Sequence, residues 1–221
     1  METTVKLLKE DKNNLKNEEK SIDKIIYKLQ KYVFGKLKIN NPIELAKNLH
    51  SNNYINIANI SQLWTLKKFF ETINYPTGII DIGMRFLKEK NYHGAYESFS
   101  SITYTPGLIE LTKEVVKEVK NGNRNNIGYA KKALVDIVNN EGNKNVKEYI
   151  DTIANAYFLE YKDNIKKTHY KDDNYLFEAL QLYKLSNNKI GILKIISRIF
   201  YHKFSHEDNK LSDSENYLKI I

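Results

Sequence analysis

The 221-residue sequence contains no cysteine, only three prolines and nine glycines. Without cysteine the chain has no disulfide framework, no thiol nucleophile and no thiolate-bound zinc or iron–sulfur site. No apolar run approaches the ~18–20 residues that a membrane-spanning helix needs. The segment from Met1 to Leu15 also lacks the apolar core and small-residue cleavage site of a signal peptide. We therefore expect a soluble, cytoplasmic protein that holds no cofactor and no metal.

Arginine is scarce as well. Of 35 basic residues only Arg85, Arg124 and Arg198 are arginine, although the net charge is +8 and the pI about 9.2. A basic chain favours phosphate as a partner, but a sequence-specific nucleic-acid reader normally uses the planar fork of arginine. The abundant Lys, Asn and Ile are typical of AT-rich coding DNA. The lysine excess is therefore interpreted first as a contribution to solubility.

What the chain does contain is helical periodicity. With 41% hydrophobic and 12% aromatic residues it has enough apolar surface to fold. No segment alternates with period two, and short Asn-rich breaks separate stretches of helical spacing. The sequence predicts an all-α fold of stacked antiparallel helical hairpins, either a solenoid or an irregular bundle. Beyond a first helix opened by Ser21, the predicted helices cover 43–49, 61–73, 79–89, 92–102, 108–120, 127–138, 146–163, 175–185, 190–204 and 214–220.

The first twenty residues are polar, which predicts a frayed or disordered arm over 1–20. From 21 to 221 we expect a single α-helical domain, with a subdivision near residue 75 as the alternative. Lysine recurs every four residues across the arm and into the first helix. Such a row either follows the phosphates of a nucleic acid or forms a solvated helix face, and the second is the usual case. The row consists of Lys12, Lys16, Lys20, Lys24 and Lys28.

One stretch carries a spaced motif. Ile79, Ile82-Gly83 and Phe86 precede Ala95-x3-Phe99, and Pro106 follows. This pattern resembles one unit of the tetratricopeptide repeat family, over about residues 76–107. Gly83 and Ala95 are small where two antiparallel helices must approach closely, and Phe86 and Phe99 would fill the space around that contact.

The resemblance implies that the first helix of the hairpin lines the concave, partner-binding face of a solenoid. On this face it places Ile80, Met84, Leu87 and Lys88. Members of the family that grip a peptide carboxylate use Lys, Arg and Asn there, whereas Ile80 and Met84 are apolar. The expected partner is therefore an apolar peptide, a partner helix or a second copy of the chain.

No arrangement of catalytic residues is recognisable. His202 and His206 could share a helix face near carboxylates, but a solvated pair is the commoner outcome without an HExxH motif. A faint resemblance of 42–70 to a helix-turn-helix lacks Lys or Arg over 53–61, where the recognition helix would begin. The sequence thus predicts a non-enzymatic protein–protein interaction module. The alternative is a nucleic-acid-binding accessory protein that uses its lysines.

Overall fold

The computed structural model describes residues 22–168 and 173–204, with side chains over 22–166 and 173–200. Eleven helices and no strand form within these ranges, which confirms the predicted all-α class. The predicted arm and the helix expected at 214–220 lie outside them. The helices are α1 (residues 22–33), α2 (Pro42–Ser51), α3 (Tyr54–Ile57), α4 (Ile60–Thr72), α5 (Pro76–Lys88), α6 (Tyr92–Ser101), α7 (Thr105–Lys120), α8 (Ile127–Glu141), α9 (Lys147–Thr168), α10 (Asn174–Leu185) and α11 (Lys189–Phe204).

The chain folds as two compact units that divide between Gly142 and Asn143. The first unit contains α1 to α8, and the second contains α9 to α11. The sequence placed its alternative boundary near residue 75, whereas this division falls in the polar break that follows α8.

Two further differences concern the helices themselves. The isolated turn α3 was not expected, and with four residues it is too short to serve as the recognition helix of a helix-turn-helix. Helix α9 continues to Thr168, past the predicted end at Asp163.

Helices that follow one another along the chain pack side by side. In the first unit α5 pairs with α4 and α6, and α7 pairs with α6 and α8. Because α6 also contacts α8, and α5 also contacts α7, the hairpins stack in two layers. In the second unit α10 packs against both α9 and α11. Short connections produce this antiparallel order, as predicted.

Four of the turns between helices repeat one arrangement, which we call the ring–glycine turn. An aromatic residue near the end of one helix accepts, at its carbonyl, a hydrogen bond of 2.8–2.9 Å from the backbone N–H five residues later. The residue between them, four after the aromatic, has a positive φ of 53–56°. This is the Schellman ending of a helix. The four turns are Phe70–Asn74–Tyr75–Gly78, Phe86–Lys90–Asn91–Gly94, Phe99–Thr103–Tyr104–Gly107 and Tyr183–Asn187–Asn188–Gly191.

The glycine of each turn lies eight residues after the aromatic, in the first turns of the next helix. A Cβ atom on Gly94 would stand 2.6 Å from the ring of Phe86, and one on Gly191 would stand 2.3 Å from the ring of Tyr183. Both rings are almost fully buried and cannot swing away. The missing side chain therefore lets the second helix of each hairpin pack directly on the ring that ends the first.

The predicted close approach at Gly83 is confirmed. A Cβ on Gly83 would lie 2.4 Å from the Phe99 ring, and one on Gly107 would lie 2.5 Å from the same ring. Phe99 is thus held between a glycine of α5 and a glycine of α7. Ala95, the second predicted small residue, is fully buried. This crossing fixes the position of α5, whose outer face carries the predicted partner-binding residues.

Candidate functional site

A groove of about 480 Å³ opens in the first unit where the end of α2 and the short α3 meet α5; we call it the α5 groove. Pro42 in the first turn of α2 and the Asn41 side chain, which accepts a hydrogen bond from the Glu44 N–H, start α2. Asn53, with a φ of 61°, turns the chain into α3. The groove is lined by His50, Asn53, Ile55, Asn56, Asp81, Met84, Arg85 and Lys88.

Three of the four ionisable side chains that line the α5 groove have an ion-pair partner: His50 and Asp81 pair with each other, and Arg85 pairs with Glu89. The Nε2 atom of His50 contacts the Asp81 carboxylate, and its Nδ1 lies 3.3 Å from the Tyr75 hydroxyl. Arg85 forms an ion pair of 2.6 Å with Glu89, the residue that caps the end of α5. Through its two contacts the His50 imidazole fastens the end of α2 to α5.

The four residues predicted to bind a partner are placed differently. Met84 and Lys88 line the α5 groove, and Met84 is 44% exposed. Ile80 is half-buried one turn earlier on α5. Leu87 belongs to the core with 9% exposure, since it follows Phe86 on the packed side of the helix. Two of the four are therefore directly available to a ligand in this groove.

The predicted lysine row is only partly within the described residues. Lys24 and Lys28 are exposed on α1, while Lys12, Lys16 and Lys20 lie outside. The side chains of Lys24 and Lys28 lie on a solvated helix face and are accessible to a phosphate.

The second unit has a cationic groove of about 710 Å³ between α9 and α11, which we call the α9–α11 groove. Its described lining contains four cations and no carboxylate. The Nζ atoms of Lys162 and Lys194 lie 4.8 Å and 4.5 Å from the ring centroid of Phe158. No periodicity or motif of the sequence marks the residues of this groove, because they come from two helices about 30 positions apart. The lining consists of Phe158, Lys162, Ile165, Lys166, Lys194, Ser197 and Arg198.

Other polar clusters fasten helices together. The Asp136 carboxylate on α8 accepts hydrogen bonds from the hydroxyls of Tyr96 at 3.0 Å and Ser100 at 2.9 Å, both on α6. Near the end of α7, burial raises the pKa of Glu118, but hydrogen bonds from Asn126, Tyr92 and Lys90 outweigh burial and bring the net pKa below its ordinary value. Asp136 thus fastens α8 to α6, and Glu118 fastens the end of α7 to the residues before α6 and α8.

Within the described ranges no three His, Asp or Glu side chains come close enough to hold a metal ion. The His202–His206 pair lies beyond the described side chains. No described helix combines the length and the low charge that a membrane span requires. A comparison with known protein families, with curated proteins and with solved structures finds no match for this chain. The fold and the two grooves therefore define an α-helical protein with candidate ligand-binding surfaces.

Proposed function

We propose that the chain is a non-enzymatic helical interaction module that binds an extended peptide segment of a partner protein in the α5 groove. One observation supports this proposal: the exposed Met84 lines the same open cleft as Asn53 and Asn56. The proposal includes the tetratricopeptide-like character of the α5–α6 hairpin, in which the first helix faces the partner.

The chemistry of the groove suits a peptide. Methionine is flexible and polarisable, so Met84 adapts to different apolar side chains. The Asn56 side-chain amide donates a hydrogen bond to the Asn53 side-chain oxygen. The remaining N–H groups and oxygen lone pairs of this pair offer donors and acceptors, as a peptide backbone does. Lys88 is exposed at the rim and adds a cation for an acidic side chain or a peptide end. Specificity would come from these few polar groups around an apolar contact.

The size of the groove favours an extended segment over a helix. A helix is about 10–12 Å across and rises about 5.4 Å per turn, so roughly one turn would fill the available volume. An extended peptide gains more contacts from the same volume because its side chains alternate between groove and solvent. A partner helix and a second copy of the chain are therefore the less favoured occupants.

A peptide selection with matched variants tests this proposal. Peptides are selected from a random displayed library against the wild-type chain, and the affinity of a selected, labelled peptide is measured by fluorescence anisotropy. Met84→Glu places a charge in the groove, and we expect it to weaken binding at least tenfold, about 1.4 kcal/mol. Leu159→Glu is the control, because Leu159 is 46% exposed, close to the 44% of Met84, and lies outside both grooves.

Equal affinities of the two variants, or failure to select any peptide, would contradict the proposal. Sedimentation of the same proteins measures their oligomeric state, and so tests whether a second copy of the chain occupies the α5 groove. A wild-type dimer that Met84→Glu dissociates would replace the peptide with a second copy of the chain. Circular dichroism of both variants establishes that they are folded.

A further inference from the structure

We propose that the α9–α11 groove binds the phosphodiester backbone of single-stranded nucleic acid. This site lies in the second unit and does not depend on the peptide proposal. It also differs from the lysine row of the sequence analysis, since no lysine of that row contributes to it.

The cations of the groove are arranged in two facing rows. Lys162 and Lys166 lie one helical turn apart on α9, and Lys194 and Arg198 lie one turn apart on α11. Residues spaced by four share a helix face, about 6 Å from one another. Two rows of this kind suit a ligand that carries anions at regular intervals.

Two of the cations contact the same aromatic ring. The ammonium groups of Lys162 and Lys194 come from different helices, yet both lie within 4.8 Å of the centroid of Phe158. The attraction between cation and ring offsets part of their mutual repulsion. An anion bound in the groove would offset the rest, because the described lining contains no carboxylate that could do so.

Arg198 is the fourth cation of the α9–α11 groove. Its side chain is half-buried beside the fully buried Tyr161 of α9 and within electrostatic reach of the Tyr161 hydroxyl. Partial burial restrains this long side chain at the edge of the groove, so less conformational entropy remains to be lost on ligand binding. Ser197 on the exposed rim donates its hydroxyl hydrogen to the Lys194 carbonyl at 3.0 Å, so the cationic side chains are left to contact a phosphate.

The same features decide the kind of ligand. Lysine binds phosphate as a point charge and reads no base, so recognition is independent of sequence. Phe158 is only 4% exposed, which leaves it no free face for base stacking. A cleft of about 710 Å³ has the size that encloses a small ligand or a few linked groups. A single strand enters such a cleft, whereas a duplex would contact only its rim.

Fluorescence anisotropy with a labelled single-stranded oligodeoxythymidylate tests the proposal on the full chain. Four phosphate contacts predict a log–log salt slope of about −3 and a loss of affinity of roughly fiftyfold between about 50 and 200 mM salt. Lys162→Glu combined with Lys194→Glu is expected to weaken binding at about 50 mM salt at least tenfold and to reduce the slope by about half.

The control reverses the same number of charges elsewhere. Lys24→Glu with Lys28→Glu changes the net charge equally, on exposed lysines of α1, and we expect it to weaken binding less than twofold. If circular dichroism shows that the glutamate pair in the groove is unfolded, Lys162→Gln with Lys194→Gln replaces it and is expected to halve the slope as well.

Three results would overturn the proposal. The first is no oligonucleotide binding at about 50 mM salt, including the case in which the chain binds only inorganic tripolyphosphate. The second is an equal loss in the groove and α1 variants, which would mean a diffuse charge effect. The third is competition by polyglutamate as strong as by unlabelled oligonucleotide at equal charge, which would mean an acidic peptide site.

Discussion

The α5–α6 hairpin of the first unit and the α10–α11 hairpin of the second are closed by the same ring–glycine turn, whereas the grooves of the two units differ in charge. In the α5 groove His50 pairs with Asp81 and Arg85 pairs with Glu89, which leaves Lys88 as the one further cation of the described lining. In the α9–α11 groove four cations share a described lining without a carboxylate. The turn thus depends only on residues close together in the sequence. The charge of each groove depends on exposed side chains that take no part in the turn.

The largest expected effect concerns the shared turn. Gly94→Ala and Gly191→Ala each place a methyl group within 2.6 Å of a buried ring, and such overpacking costs about 1–3 kcal/mol. We expect both variants to lower the free energy of unfolding by similar amounts, measured by urea denaturation. A loss in only one of them would show that the two turns are not equivalent.

Gly128→Ala is the matched control for these substitutions. Gly128 also lies in the first turn of a helix, α8, but is exposed. Since alanine has the higher helix propensity, by up to about 1 kcal/mol, this change is expected to be neutral or stabilising. A destabilisation as large as that of Gly94→Ala would mean that the ring contact is not the cause.

A smaller effect distinguishes the two turns. The ring of the first is Phe86, whereas Tyr183 in the second donates a hydrogen bond of 2.7 Å to the Asn155 side chain. Burial, aided by Asp151, raises the pKa of Tyr183 from 10.0 to about 12. The folded chain therefore holds this proton more tightly than the unfolded chain. The contribution of Tyr183 to the free energy of unfolding is therefore fully present below pH 10 and is lost as the pH rises from 10 to 12.

Tyr183→Phe tests this difference. At neutral pH the variant lacks the hydrogen bond and is expected to be less stable by about 0.5–1.5 kcal/mol. Between pH 10 and 12 the gap to the wild type should narrow, because phenylalanine does not titrate. Chemical denaturation at several pH values measures this difference in the free energy of unfolding. A difference that stays constant from pH 10 to 12 would argue against a raised pKa of the Tyr183 hydroxyl.

Much of the fold could be predicted from the sequence because helical periodicity and short Asn-rich breaks are local signals. The close approach at Gly83 was predictable for the same reason. The ring–glycine turn also has a local signal, an aromatic residue followed eight positions later by glycine. The periodicity of either helix alone does not contain this signal, because it spans the end of one helix and the start of the next.

The sites were less predictable because they depend on packing between distant residues. His50 and Asp81 are 31 positions apart, and only the docking of α2 on α5 brings them together. Lys162 and Lys194 are two of many lysines, and the sequence does not show which of them share a ring. The regular row from Lys12 to Lys28 was conspicuous in sequence, but the described structure concentrates cations elsewhere.

The central claim is that the two grooves take ligands of different chemistry. Measuring both affinities, for the selected peptide and for the oligonucleotide, on Met84→Glu and on Lys162→Glu with Lys194→Glu tests it most directly. We predict that Met84→Glu loses the peptide at least tenfold and keeps the oligonucleotide, and that the lysine pair does the reverse. If both variants lose the same ligand, or either loses both while remaining folded, the claim is contradicted.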